Sequence, residues 1–99
     1  MDYQIENNNG KVTVTLIGDI TFSDNVAFRQ MLKELSLETI ETGAFELSKV
    51  DMVDSAALGM FLIAKEQANN AGWKMCLVGA QGHVLNMLKL TKLIDYLCS

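Results

Sequence analysis

The run Ala44-Phe45-Glu46-Leu47-Ser48, continued by Lys49-Val50-Asp51-Met52-Val53-Asp54 and then by Ser55-Ala56-Ala57-Leu58-Gly59-Met60-Phe61-Leu62, decides the fold. Its first part is short and strand-like. Its last part opens a helix, from about Ser55 to Asn70, with Leu58, Phe61, Leu62 and Lys65 at helical spacing and small residues at Ala57, Ala64 and Ala68. The polar close Glu66-Gln67-Ala68-Asn69-Asn70-Ala71-Gly72 stops that helix at a glycine. Trp73 to Val78 then reads as an apolar strand carrying one charge, Lys74, as the interior of a sheet requires. A strand, a helix and a second strand in this order imply a parallel pair joined by a right-handed crossover.

Working outward, residues 3–6 alternate weakly and meet the turn signal Asn7-Asn8-Asn9-Gly10. Lys11 to Ile17 alternates cleanly, with Val12, Val14 and Leu16 on one face and Lys11, Thr13 and Thr15 on the other, which predicts a hairpin. Gly18-Asp19-Ile20-Thr21-Phe22 is a loop, after which Ser23 or Asp24 caps a helix carrying Val26, Ala27, Met31, Leu32 and Leu35, with Leu37 at its far end. Phe28, Met31, Leu32 and Leu35 follow the i, i+3, i+4, i+7 pattern, with Arg29, Lys33 and Glu34 on the wet side. Gly43 marks the break after that helix. Gly79-Ala80-Gln81-Gly82 turns the chain into a third helix over about 82–90, and Leu93-Ile94-Asp95-Tyr96-Leu97 is a last short strand or a helix end. The expectation is one α/β domain over residues 1–99. It has a four- or five-stranded mixed sheet, an N-terminal hairpin, and three to four helices mainly on one face.

Composition narrows the function. A chain of 99 residues, 49% hydrophobic, 20% charged and without proline, buries about 60–65% of its unfolded surface and needs no staples. Eight Lys+Arg against twelve Asp+Glu give a net charge of −4, and the cations are scattered, which argues against nucleic-acid binding. Cys76 and Cys98 are too few for a disulfide framework. Cys76 lies in the run Met75-Cys76-Leu77-Val78 and is expected to be a buried, inert thiol, while Cys98 is assigned no role. The N-terminus resembles no signal peptide and no window is apolar enough for a membrane span, so the expected location is the cytoplasm.

Catalytic equipment is sparse. Neither a G-x-x-x-x-G-K-[ST] loop nor a G-x-G-x-x-G fingerprint occurs, and no carboxylate or cysteine stands at metal-ligand spacing from His83, the single histidine. No cofactor, metal or catalytic residue is expected, and the chain reads as something other than an enzyme. Ser55 is the residue of interest. In the structural reading its hydroxyl caps the helix, contributing about 1 kcal/mol. In the functional reading it is a solvent-accessible acceptor at a helix start, where free N–H groups and the helix dipole favour a phosphate. Ala56, Ala57 and Gly59 leave little bulk around it, and Gly59 costs its helix about 1 kcal/mol relative to alanine, a hint of close packing or close approach.

The run Asp54-Ser55-Ala56-Ala57-Leu58-Gly59 resembles the D-S-[ST]-[GA]-L-G signature of the STAS domain family, specifically its bacterial anti-sigma-factor antagonists. Gly18-Asp19-Ile20-Thr21 is similar to the family's G-[ED]-[LI]-D loop, Phe45 to Ser48 with Val50 to Asp54 to the strand that delivers the serine, and Leu88-Lys89-Leu90-Thr91-Lys92-Leu93 to the close of the third helix. The resemblance implies partner switching. An anti-sigma factor or related serine kinase with an ATP-binding fold binds the unphosphorylated form and phosphorylates the serine, and a metal-dependent serine phosphatase reverses the mark. Carried over by position, the acceptor is Ser55, and Asp19, Thr21, Asp54, Ala56, Leu58 and Gly59 form the contact surface. Thr21 stands where the loop usually ends in an acid, which shifts that role to Asp19. Ala56 removes an alternative hydroxyl, and Ala57 replaces a common glycine.

The competing expectations are a constitutive STAS subunit of a larger complex, such as a lipid-transport ATPase, in which Ser55 is only a cap, and a small-ligand or nucleotide-binding STAS module. The free protein is expected to be a monomer, unless Phe22, Phe28 or Trp73 is exposed and pairs molecules.

Overall fold

The three valines and leucines assigned to one strand face, Val12, Val14 and Leu16, are all buried in the computed structural model, which describes residues 1–97. They lie on β2 (Lys11–Ile17), which pairs antiparallel with β1 (Asp2–Asn8) through a tight turn at Asn9 and Gly10, both at positive φ. After a 3-10 turn at Phe22–Asp24 come α1 (Asn25–Ser36) and β3 (Thr42–Lys49), then α2 (Ser55–Ala71), β4 (Lys74–Val78) and α3 (Gly82–Lys89). The four strands stand in the order β1-β2-β3-β4, with β2, β3 and β4 parallel. Both crossovers step to the neighbouring strand in the same direction, so α1 and α2 cover the same face.

That face carries the core. The register sets Ile5, Val14, Phe45 and Leu77 in one row across the sheet. Above it Phe61 meets Phe28 and Phe45 edge to face, with ring centroids 5.4 and 5.9 Å apart. Phe28, Met31, Leu32 and Leu35 all point inward, as their spacing predicted. Val26 does not: it is exposed, as is Leu37 beyond the helix end. Leu62, placed in the apolar stripe of α2 by spacing alone, is also exposed, because the core side of that helix is Ala57, Leu58, Phe61, Ala64 and Ala68. Gly72, at positive φ, ends the helix, and the Gly72 and Trp73 N–H groups take up its last carbonyls.

Three local expectations are corrected. Gly43 is not a break. It is the second residue of β3, and it is glycine because a Cβ there would lie 2.4 Å from the Trp73 ring that packs on it. Cys76 occupies an outward pleat position beside Ala44, so it is half-buried, and it is not a free thiol. The tail is a 3-10 turn, Lys92–Tyr96, that buries Leu93, and Leu97 then forms a single parallel bridge with Leu77. Lys65 sits over the Tyr96 ring at 5.2 Å and ties that turn to α2. Cys98 lies outside the described residues.

Candidate functional site

Two connections emerge side by side from the C-terminal edge of the parallel strands. Gly18 N–H donates to Lys49 O at 3.0 Å, Ile20 N–H to Met52 O at 3.0 Å, and Asp54 N–H to Ile20 O at 3.3 Å. Ile20, Val50 and Val53 are buried beneath these bonds and anchor both segments to the core. The loop after β2 and the loop after β3 therefore form one short ladder, and the helices they open, α1 and α2, start next to each other.

Asp54 fixes that arrangement. One carboxylate oxygen accepts the Ala57 N–H at 2.9 Å and so caps α2, while the other accepts the Phe22 N–H at 3.0 Å. One side chain thus holds two otherwise orphaned backbone donors from two elements. This overturns the reading of Ser55 as the cap. Ser55 is the first helical residue, exposed, and its hydroxyl makes no hydrogen bond among the described residues. The preceding aspartate is extended, satisfies the helix, and leaves the serine oxygen facing solvent.

The other positions separate. Ala56 and Gly59 are half-buried beside the exposed Ser55, and Leu58, at 6% exposure, packs with the core. Asp19 is exposed on the adjacent loop. Thr21 is half-buried, and its N–H donates to Asp24 at 2.8 Å while its hydroxyl pairs with Ser23 at 2.8 Å. Asp24, rather than Asp19, is the engaged acid of this loop: the N-terminal ammonium bonds it at 2.9 Å, and that bond, followed by the Thr21 N–H, holds its pKa below the usual carboxylate value. On the far side of α1, Tyr3 donates to the Glu34 carboxylate, and this bond together with burial pushes the phenol pKa up.

Spacing did not single out several neighbours of Ser55. His83, in the first turn of α3, places Nε2 3.0 Å from Val53 O and braces the segment that delivers Asp54. Phe22 is 69% exposed, whereas Phe28 and Trp73, the other aromatics proposed for exposure, are buried. From Phe22 a groove of about 270 Å³ runs between α1 and α2, walled by Arg29, Ala56, Gly59, Met60 and Ile63. A Cβ added at Gly59 would meet nothing within 4 Å, so this glycine answers to no packing inside the chain. Among the described residues no group of three or more His, Cys, Asp or Glu side chains is placed to hold a metal, and no helix is long and apolar enough to cross a membrane.

Residues 2–97 match the family model described as STAS domain. No curated protein sequence matches the chain. Among solved structures, the anti-sigma factor antagonist SpoIIAA in its unphosphorylated form aligns with a TM-score of 0.81 at 17% identity, covering 98% of this chain and 86% of that one. The Bacillus cell fate determinant SpoIIAA in the phosphorylated form aligns with a TM-score of 0.75 at 15% identity, covering 98% and 89%. A sulfate transporter family protein from Wolinella succinogenes aligns with a TM-score of 0.78 at 15% identity, covering 91% and 77%. At such identities the likeness concerns the fold, and it spans regulators and a transporter-family protein alike.

Proposed function

The chain belongs to the STAS domain family, and from that premise we propose that it is a phosphorylatable antagonist in a partner-switching cycle. The unphosphorylated form binds an anti-sigma factor or related serine-kinase regulator with an ATP-binding fold. That kinase transfers the terminal phosphoryl group of ATP to Ser55 Oγ, ADP leaves, and the hydroxyl proton passes to the kinase's base. The product releases the partner, and a metal-dependent serine phosphatase hydrolyses the ester. The protein is a substrate and a switch, with catalysis supplied by its partners.

One observation carries this reading: Asp54 caps α2, so Ser55 stands exposed at the head of the helix with its hydroxyl unengaged. A phosphate there gains the helix dipole and the first-turn N–H groups that Asp54 leaves to solvent, so it is held without unfolding the helix. SpoIIAA, which shares the fold, is known in both unphosphorylated and phosphorylated forms. The modification adds about −1.5 to −2 charges next to Asp54, with Asp19 on the adjacent loop. A like-charge contact at about 4 Å costs roughly 1 kcal/mol in water and about 4 kcal/mol at an effective dielectric of 20. The second value is about a thousandfold in affinity, enough to release a partner docked over Asp19, Thr21, Asp54, Ala56 and Gly59.

The direct test is phosphosite mapping by mass spectrometry on protein recovered from its native cell, with Ser55→Ala as control. Phosphate on Ser55 that vanishes in the variant is the expected result, and no phosphate under growth and stress conditions alike would overturn it. The similarity to a transporter-family protein favours a second reading, a constitutive subunit of a larger assembly. Binding to that assembly would then be insensitive to Ser55→Glu, whereas the switch requires the acidic variant to lose its partner.

A further inference from the structure

The groove lies between α1 and α2, and at Leu32, one of its lining residues, the Gln67 side-chain amide of α2 donates to the backbone carbonyl at 2.8 Å. Ser55, Gly59 and Ile63 follow one another at i, i+4 and i+8 on α2, and of these Gly59 and Ile63 line the groove, one turn and two turns beyond the acceptor. From Ala56 to Ile63 it runs about 10 Å. Phe22 and Ile63 stand over it at 69% and 52% exposure. Arg29, on the α1 side, enters no ion pair or hydrogen bond among the described residues. The groove is lined mainly by apolar groups, with Asn25 and the unpaired Arg29 guanidinium as its polar lining, in a chain whose net charge is −4.

We propose that this groove receives an amphipathic helix of the switching partner, which lays two apolar side chains, one helical turn apart, over Ala56, Gly59 and Met60 and sets a carboxylate against Arg29. The proposal rests on the partner-switching reading and adds to it the element that docks. The length suits anchors at i and i+4, the mode of helix-in-groove recognition. Gly59 supplies the clearance for close approach, since nothing of the chain itself fills the space above it. The guanidinium, weakly hydrated and planar, is the cation best suited to a carboxylate at the edge of an apolar contact. The volume, about 270 Å³, lies below the range for drug-sized ligands, and the walls offer a phosphate one cation and no glycine loop.

The test places a photo-crosslinking phenylalanine analogue at Ile63, and separately at Thr13 on the opposite face of the sheet as control, in the full chain in its native cell. The crosslinked peptide and the Ser55 phosphorylation state are read together by mass spectrometry. The captured partner is then purified and its affinity measured for wild type and for Arg29→Glu. The expected result is a crosslink from Ile63, not Thr13, to a helical segment with apolar anchors and an acid. Arg29→Glu should weaken binding by about tenfold or more, restored when that acid is changed to lysine in the partner. A crosslink to a second copy of this chain, to a segment without an acid, or to nothing overturns the proposal, as does unchanged affinity in a folded Arg29→Glu. Phosphorylated Ser55 with a silent Ile63 removes the groove and leaves the switch. An acidic helix captured at Ile63 with Ser55 unmodified, growing or stressed, removes the switch and leaves the groove.

Discussion

Gly43 and Gly59 are both glycines inside regular structure, and they answer opposite demands. At Gly43, the second residue of β3, a Cβ would run into the Trp73 ring at 2.4 Å, so the missing side chain is a seat for an internal aromatic. At Gly59, in the middle of α2, a Cβ would meet nothing within 4 Å, so the missing side chain leaves room outside the chain. The first glycine serves the core, and the second serves the surface beside Ser55. The same contrast separates the two ends of the sheet. Where Trp73 packs, stability sets the residue choice; at the edge where β2 and β3 hand over to their helices, the polar groups hold loops in place and leave a hydroxyl and a groove open.

The comparison is broken most forcefully at Gly43. Gly43→Ala forces the indole or the strand to shift, and overpacking of this kind costs about 1–3 kcal/mol. For a domain of this size each kcal/mol lowers Tm by roughly 4–8 °C, which calorimetry reads directly. An unchanged Tm would mean that Trp73 yields freely and that the glycine is no seat. Asp54→Ala comes next. It removes the cap of α2 and the acceptor for Phe22 N–H together, an expected loss of about 1–2 kcal/mol in denaturant melts. Asp54→Asn keeps an acceptor oxygen and should recover part of that loss; a neutral Asp54→Ala would show that the two helix starts are not coupled through this side chain.

Gly59→Ala sharpens the contrast because its sign is reversed. Alanine is better than glycine in a helix interior by about 1 kcal/mol, and no clash opposes it, so the variant should melt higher than wild type. Partner affinity should fall at the same time, because the added methyl intrudes where a partner approaches. A variant that is both more stable and fully competent in binding would show that nothing approaches Gly59.

How far the sequence carries depends on which contacts set each feature. The alternation of Val12, Val14 and Leu16 and the spacing of Phe28, Met31, Leu32 and Leu35 were legible because one buried face imposes its period on the chain. The helix start after β3 was legible too, since Asp and Ser are both good caps, but propensity does not rank adjacent residues. Only the extended backbone at Asp54 and its bond to Ala57 N–H decide between them. A signature also marks residues without saying which face of the helix each occupies, and Leu58, one of its positions, turns out to be 6% exposed. The bond from Asp54 to Phe22 N–H, the contact of His83 with Val53 O, and the Trp73 ring over Gly43 join segments far apart in the chain. Nothing local announces such contacts, so a glycine seated under an indole looks like a turn.

The smallest expected effect is the most discriminating. If Ser55 capped α2, Ser55→Ala would cost about 1 kcal/mol and lower Tm by several degrees. With the cap on Asp54 and the Ser55 hydroxyl making no hydrogen bond among the described residues, alanine at the first helical position removes no contact, and its stability should stay within about 0.5 kcal/mol of wild type. Paired denaturant melts of Ser55→Ala and Asp54→Ala therefore locate the cap in solution. A large loss in the serine variant and none in the aspartate variant would return Ser55 to a structural role. The opposite pattern leaves a serine whose hydroxyl the fold does not need, held at a helix start, and that is the state in which a kinase can modify it without unfolding the domain.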